Sequence, residues 1–331
     1  MQNDIQEKAV YNYPLNGNIY NEKPEAEATR AGFGHGLKAA GEADERVVGL
    51  CADLVESVKM DAFAKTFPER YIEVGIAEQN LATVASGLAR AGKIPFAASY
   101  AAFSPGRNWE QIRTTICLNN QPVKLVGSHA GLNVGADGAT HQMLEDIALM
   151  RSLPNMVVLA PGDAYEAEMM AAVMAADPRP NYVRLPRADM PLFLDGEVAI
   201  GRASVLRQGT NVALLGTGTM TYQLLMAAEQ LAYAGFQAEV VHFNTIKPLD
   251  EAAVVAAAQK CGRVVTAEEG QIAGGFGSAV AEVLGERLPV KIKRIGVRDQ
   301  FGESGTVAEL WQKHGLDVEA VVNKISAFLN K

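Results

Sequence analysis

Short runs of apolar and β-branched residues alternate with longer alanine-rich stretches along nearly the whole chain, and few folds accommodate that alternation. Residues 47–50, 94–98, 123–127 and 156–159 are each close to uniformly apolar rather than alternating. A strand that is apolar on both sides must be covered on both sides, as in a parallel sheet between two layers of helices. The stretches between these runs carry apolar residues three and four apart, as at Leu81, Val84, Ala85 and Leu88, which is helix spacing. A second series of strand-like runs follows at 212–215, 240–242, 264–267 and 290–292. The expected fold is therefore α/β, with two parallel-sheet domains. Between the two series, residues 186–201 lose periodicity and contain Pro186, Pro191, Gly196 and Gly201. The domains are accordingly expected at 24–190 and 191–331. Residues 1–23 are polar, rich in asparagine and unpatterned, and read as an N-terminal extension that lies over the surface or reaches toward a partner.

Composition narrows the function. With 331 residues, 48% of them hydrophobic, the chain can bury a large core. A net charge of −8, with lysines and arginines scattered among acids, excludes the basic stripe through which proteins hold nucleic acid. No apolar run approaches the roughly 18 residues of a membrane span. The start, Met1-Gln2-Asn3-Asp4, is too polar for a secretory signal, so a cytoplasmic location is expected. Cys51, Cys117 and Cys261 sit inside apolar segments without paired spacing and read as reduced core thiols rather than metal ligands.

Three segments carry candidate chemistry. Glu78 stands in Tyr71-Ile-Glu-Val-Gly-Ile-Ala-Glu-Gln-Asn80, where a short strand turns into a helix. By itself it has an ordinary explanation, since a helix N-terminus favours a carboxylate. Next come Tyr100 and Phe103, expected at the start of the next helix, where core packing is the competing explanation. The loop from Gly127 to Gln142 then brings His129, Asp137 and His141 together with four glycines. Glycines let backbone approach a ligand closely, and strand-end loops are where α/β proteins bind. Two other features have weaker readings. Gly216-Thr-Gly218 lacks the third glycine of a dinucleotide site, and Gly274-Gly-Phe-Gly277 suits close helix packing and a subunit contact. His35, His242 and His314 read as structural or exposed.

The order of Ala77-Glu-Gln-Asn80, Tyr100-Ala-Ala-Phe103, the loop His129–Gln142 and Arg151-Ser-Leu-Pro-Asn155 resembles the transketolase family. The resemblance begins near Ala28 and implies a thiamine diphosphate pyrimidine-binding domain followed by a transketolase C-terminal domain. It implies that Glu78 is catalytic, hydrogen-bonding the aminopyrimidine nitrogen, a task for a buried carboxylate. Tyr100 and Phe103 match the aromatics that stack on that ring; Gly106 stands where the family usually has a third aromatic. Leu54, after Asp53, matches the apolar wedge beneath the cofactor. His141 matches a residue at the reacting hydroxyls and Asp137 one that reads an acceptor hydroxyl. Arg30, Ser57, His129 and Arg187 match residues that hold the sugar phosphate, a role that suits the planar donor fork of arginine. Without the family, Arg30 and Arg187 read as solvated surface charges, and Ser57 as an ordinary surface residue.

The Gly-Asp-Gly motif with which the family holds Mg2+ (or Ca2+) on the diphosphate does not occur in this sequence. No metal ligand is therefore expected in this chain. The resemblance implies an N-terminal-half partner subunit that carries the metal and diphosphate, with this chain as a homodimer inside an α2β2 assembly. The reaction implied is transfer of a two-carbon ketol unit from a ketose phosphate to an aldose phosphate. A 2-oxoacid dehydrogenase β subunit and a 1-deoxyxylulose 5-phosphate synthase-like half are the competing enzyme readings. A regulatory or scaffold subunit that kept the fold is the competing non-enzyme reading.

Overall fold

The computed structural model describes residues 11–12, 14–17 and 19–330, and within it the two series of apolar runs form two sheets. The first has seven strands in the order Thr245–Lys247, Val157–Leu159, Asn181–Leu185, Lys124–Ser128, Ile94–Tyr100, Val47–Cys51 and Tyr71–Glu73. Six of these are mutually parallel. The seventh, Thr245–Lys247, comes from the second half of the chain and closes one edge antiparallel. The second sheet runs Tyr11–Asn12, Ala203–Arg207, Ala238–Phe243, Val212–Gly216, Arg263–Gln271, Lys291–Val297. Its last four strands are parallel, and Ala203–Arg207 joins them antiparallel. Every residue of Val47–Cys51, Lys124–Ser128, Asn181–Leu185 and Val212–Gly216 is buried, as sheets covered on both faces require.

Asn181–Leu185, Ala203–Arg207, Thr245–Lys247 and the short strands Tyr11–Asn12, Ala26–Ala28 and Asp189–Pro191 go beyond the sequence reading, whereas the short strand expected before Glu78 is present as Tyr71–Glu73. Asn181–Leu185 is disguised by Arg184, which pairs with Asp146 at 2.9 Å in full burial while Tyr182 donates its hydroxyl to the same carboxylate. The stretch read as an N-terminal extension is partly built into the second sheet's core. Leu15 bridges Leu194, Asn16 N–H donates to the Phe193 carbonyl, and Ile19 is buried among second-domain residues. Residues 1–10, 13 and 18 of that stretch lie outside the described residues.

Two packing features fix the relation of the parts. Helix Thr29–Ala43 lies backbone to backbone on helix Ala164–Ala176: a Cβ on Gly32 would stand 1.9 Å from the Ala164 carbonyl oxygen, and one on Gly36 2.1 Å from that of Glu168. This close approach sets the N-terminus of the first helix, and Arg30 with it, at the carboxyl edge of the first sheet. Across the two halves, a buried polar cluster acts as a staple. Glu166 Oε2 lies 2.8 Å from His242 Nε2, Asn244 Nδ2 donates to Glu166 Oε1, and Thr221 Oγ1 is 2.7 Å from His242 Nδ1. His242 is thus a core histidine. The three cysteines are free and buried. Among the described residues no helix is long and apolar enough to cross a membrane.

Candidate active site

The candidate site residues lie in the segments that follow the carboxyl ends of first-sheet strands or at a helix N-terminus beside them, the edge at which parallel α/β sheets bind ligands. Glu78 opens helix Glu78–Arg90 and is 2% exposed. Its Oε2 accepts a hydrogen bond from Arg107 Nη1 at 3.0 Å, and its backbone carbonyl accepts one from Asn108 Nδ2 at 2.8 Å. Arg107 is half exposed, so the carboxylate is buried but presents one oxygen toward the open side. The Arg107 guanidinium also lies 5.3 Å from the centre of the Phe103 ring. Phe103 and Tyr100 are near-parallel, with centroids 5.9 Å apart, and His129 stacks on Tyr100 at 3.8 Å. His141 meets Phe103 edge-on at 5.5 Å. An acid, two aromatic rings and two imidazoles thus form one continuous wall.

Beside the wall lies a cationic cluster. Arg30 donates from Nε to the Arg187 carbonyl and from Nη1 to the Ser57 carbonyl, at 3.0 and 2.6 Å. Arg187 donates to the Val134 carbonyl at 2.8 Å and reaches Asp137 at 3.5 Å. Ser57 contributes through its backbone oxygen. Burial and Arg187 together lower the pKa of Arg30. His129 is held far below its ordinary value, at about 3, first by burial and then by Arg30, Arg187 and His141. It is a neutral imidazole at physiological pH, with Nδ1 2.9 Å from Ser128 Oγ. The two guanidiniums therefore carry the positive charge, and the imidazole offers one donor and one acceptor.

Asp53 and Leu54 begin the turn that carries Ser57, the Leu54 carbonyl accepting the Val58 N–H at 3.0 Å. Asp53 adopts φ +59° and donates its N–H to Glu73 Oε1 at 2.8 Å, while Leu54 packs on the core beneath the sheet. Glu73 was not singled out in the sequence, yet the same Oε1 also accepts the Gly75 N–H at 2.9 Å. It ties the Asp53 turn to the turn that leads into Glu78. Arg107 also went unread; its only local signal is its position beside Gly106, where the expected aromatic is missing. The Gly216-Thr-Gly218 loop offers no phosphate cradle, because Thr217 N–H bonds the Ala267 carbonyl and Gly218 N–H that of Ala160. At Gly274-Gly-Phe-Gly277 the packing is close, a Cβ on Gly275 falling 1.9 Å from Glu268 Oε2. Among the described residues no group of three or more histidine, cysteine, aspartate and glutamate side chains is arranged to hold a metal ion.

Residues 25–191 match the transketolase pyrimidine-binding domain, and residues 201–321 match the transketolase C-terminal domain. A putative transketolase C-terminal section from Methanocaldococcus jannaschii is 42% identical, covering 91% of this chain and 96% of that protein. A 6-deoxy-6-sulfo-D-fructose transketolase subunit from a Clostridium species is also 42% identical, over 84% of this chain and 87% of its own length. The 1-deoxy-D-xylulose-5-phosphate synthase of Trichormus variabilis is 39% identical over 93% of this chain, which spans only 49% of that enzyme. Among solved structures, a split-gene transketolase described as an inactive β4 tetramer superposes with a TM-score of 0.86 at 43% identity, covering 92% of this chain and 98% of that one. Transketolase from Campylobacter jejuni superposes at 0.78 with 25% identity, this chain covering 49% of it. The chain belongs to the transketolase family, as a thiamine diphosphate-type subunit that corresponds to the C-terminal half of the full-length enzyme.

Proposed function

We propose that this chain is the half of a two-chain transketolase that holds the aminopyrimidine ring of thiamine diphosphate and the sugar phosphate. The observation that carries the reading is Glu78, a buried carboxylate that already accepts an N–H from the open side, beside the stacked rings of Tyr100 and Phe103. That acceptor and the paired rings fit an aminopyrimidine, whose ring nitrogen would present an N–H and whose faces would stack. Thiamine diphosphate, when bound, supplies the nucleophilic carbon that ketol transfer needs and that no side chain offers.

The chain's own residues then have distinct tasks. Glu78 holds the proton at the ring nitrogen, Tyr100 and Phe103 stack, and Asp53 and Leu54 shape the turn beneath the ring. His141 and Asp137 meet substrate hydroxyls. His129, being neutral, orients a hydroxyl by hydrogen bonds instead of adding a third positive charge. Arg30 and Arg187 take the anionic end, aided by Ser57, whose carbonyl anchors Arg30. A tetrahedral anion at that position is also what a sulfonated sugar, the substrate named for one relative, would present. Mg2+ (or Ca2+) and the diphosphate belong to a separate N-terminal-half chain in this reading. The names of relatives as a C-terminal section, a subunit and a split gene support it. The assembly would be α2β2, two copies of each chain about a two-fold axis, working in cytoplasmic pentose phosphate metabolism. The domain division is proposed at 190/191.

The test is reconstitution with an N-terminal-half transketolase chain. Ketol transfer from a ketose phosphate to an aldose phosphate is expected. Release of carbon dioxide from pyruvate, with no ketol transfer between sugar phosphates, would instead place the chain among the 2-oxoacid dehydrogenase or deoxyxylulose-phosphate synthase branches.

A further inference from the structure

The loop that carries Asp137 is fastened from the second domain. Asn133, 1% exposed, donates its N–H to Glu269 Oε1 at 2.6 Å, and Glu269 lies on strand Arg263–Gln271 of the second sheet. The side-chain Oδ1 of Asn133 accepts the N–H of Ala188, the residue after Arg187, at 2.5 Å. Arg187 in turn donates to the carbonyl of Val134, the residue after Asn133. One asparagine therefore links Glu269 to both ends of the contact that places Arg187. Trp311 adds a second bond to the same Glu269 oxygen, from Nε1 at 3.1 Å. The carboxyl packs directly on Gly131, which has φ +82° and where a Cβ would lie 2.8 Å from Glu269 Cδ.

We propose that Glu269 is a positioning residue of the substrate pocket, acting through Asn133 to hold Arg187 where it grips the anionic end of the substrate. The inference rests on the reading of Arg30 and Arg187 as an anion site. Both bonds to Glu269 converge on Oε1, while Oε2 is buried without a hydrogen-bond partner. Ionisation leaves that oxygen unsolvated, and protonation relieves it at the expense of weaker bonds at Oε1, since a charged acceptor binds about twice as strongly as a neutral one. The ionised form thus grips the loop more tightly than the protonated one. The surroundings allow both forms to be populated. Burial pushes the Glu269 carboxyl up to about 6 against the opposing pull of Arg184. The charged groups around it are Arg184 from strand Asn181–Leu185, Asp146 from helix Asp146–Arg151, and Glu268 on its own strand, itself raised to about 7 by burial.

The experiment has two parts. In the reconstituted enzyme at pH 8, Glu269→Gln, which mimics the protonated form, is expected to raise KM for a phosphorylated ketose about tenfold. The loss should be confined to phosphorylated donors and shrink toward unity below about pH 6, where the native carboxyl is also protonated. The comparison with the variant matters because the substrate phosphate titrates near the same pH, about 6. Asn133→Ala, which cuts the link to Ala188 and leaves Glu269 in place, should give the same donor-selective loss and carries the test if Glu269→Gln does not fold. The second part uses the chain alone in a Trp109→Phe background, where Trp311 is the one remaining tryptophan. Its fluorescence should titrate with a midpoint near 6, and Glu269→Gln should remove the step. Donor-selective loss in Arg187→Ala but not in the Glu269 and Asn133 variants overturns this inference alone. No selectivity in Arg187→Ala overturns the anion-site reading and the inference with it. A flat Trp311 titration overturns the proton-linked part directly.

Discussion

His129 offers a sharp physical test, because it is held neutral by its surroundings. It is buried, stacked on Tyr100 and close to two arginines, and its pKa falls from 6.5 to about 3. A basic group with a depressed folded-state pKa contributes stability that is present above its unfolded value and is lost as pH falls toward the folded value. Between pH 7.5 and 5, the unfolded chain takes up the proton through 1.5 pH units that the folded chain does not follow. At about 1.4 kcal/mol per unit, that is a loss of about 2 kcal/mol. His129→Asn removes the titration while keeping a residue that tolerates φ near +55°. Denaturant unfolding of both chains at the two pH values isolates this term, since Glu268, Glu269 and Asp163 titrate alike in each. The native chain should lose about 2 kcal/mol more than the variant on acidification. Parallel losses would show that His129 charges freely, and the picture of a neutral imidazole between two guanidiniums would fail.

Other perturbations test the remaining parts. Glu78→Ala in the reconstituted enzyme should lower turnover by about 10²–10⁴-fold with the fold intact, and should slow hydrogen–deuterium exchange at the cofactor C2 to match; near-normal exchange removes Glu78 from the chemistry. Arg187→Ala should raise KM for phosphorylated donors by roughly ten- to hundredfold, from the 1.5–3 kcal/mol typical of a charged hydrogen bond, and leave hydroxypyruvate nearly unaffected. Equal losses on both donors count against anion recognition. His242→Leu leaves the fully buried Glu166 with only Asn244 and the Gly162 N–H as donors and should destabilise the chain by about 3 kcal/mol in denaturant melts; a loss under 1 kcal/mol would mean that the staple between the halves is incidental.

Much of the fold was legible because a parallel sheet covered on both faces writes its strands as unbroken apolar runs, as at residues 47–50 and 212–215. Asn181–Leu185 escaped because Arg184 is buried by pairing with Asp146, 38 residues away, which no local pattern reveals. Thr245–Lys247 crosses to the other sheet's edge, a choice made by long-range packing. At the site, Glu78, Tyr100, Phe103, His129 and His141 were visible because strand ends and glycine-rich loops concentrate them in short segments. Arg107 and Glu73 were not, since each acts on a residue twenty or more positions away. Glu269 is still less visible, reaching Asn133 across 136 residues. What sequence alone reads poorly is the support of the candidate site rather than its principal side chains.

The central claim is that this chain provides the ring-binding and sugar-binding half of a site whose metal–diphosphate half lies on another chain. Titration calorimetry of the purified chain with thiamine diphosphate and Mg2+ tests it most directly. Stacking on Tyr100 and Phe103 and one bond to Glu78 leave the charged end of the ligand in water beside a protein of net charge −8. The account predicts at most weak heat from the chain alone and a sharp rise in affinity once the N-terminal-half chain is added. Tight, magnesium-dependent binding by the chain alone would contradict it.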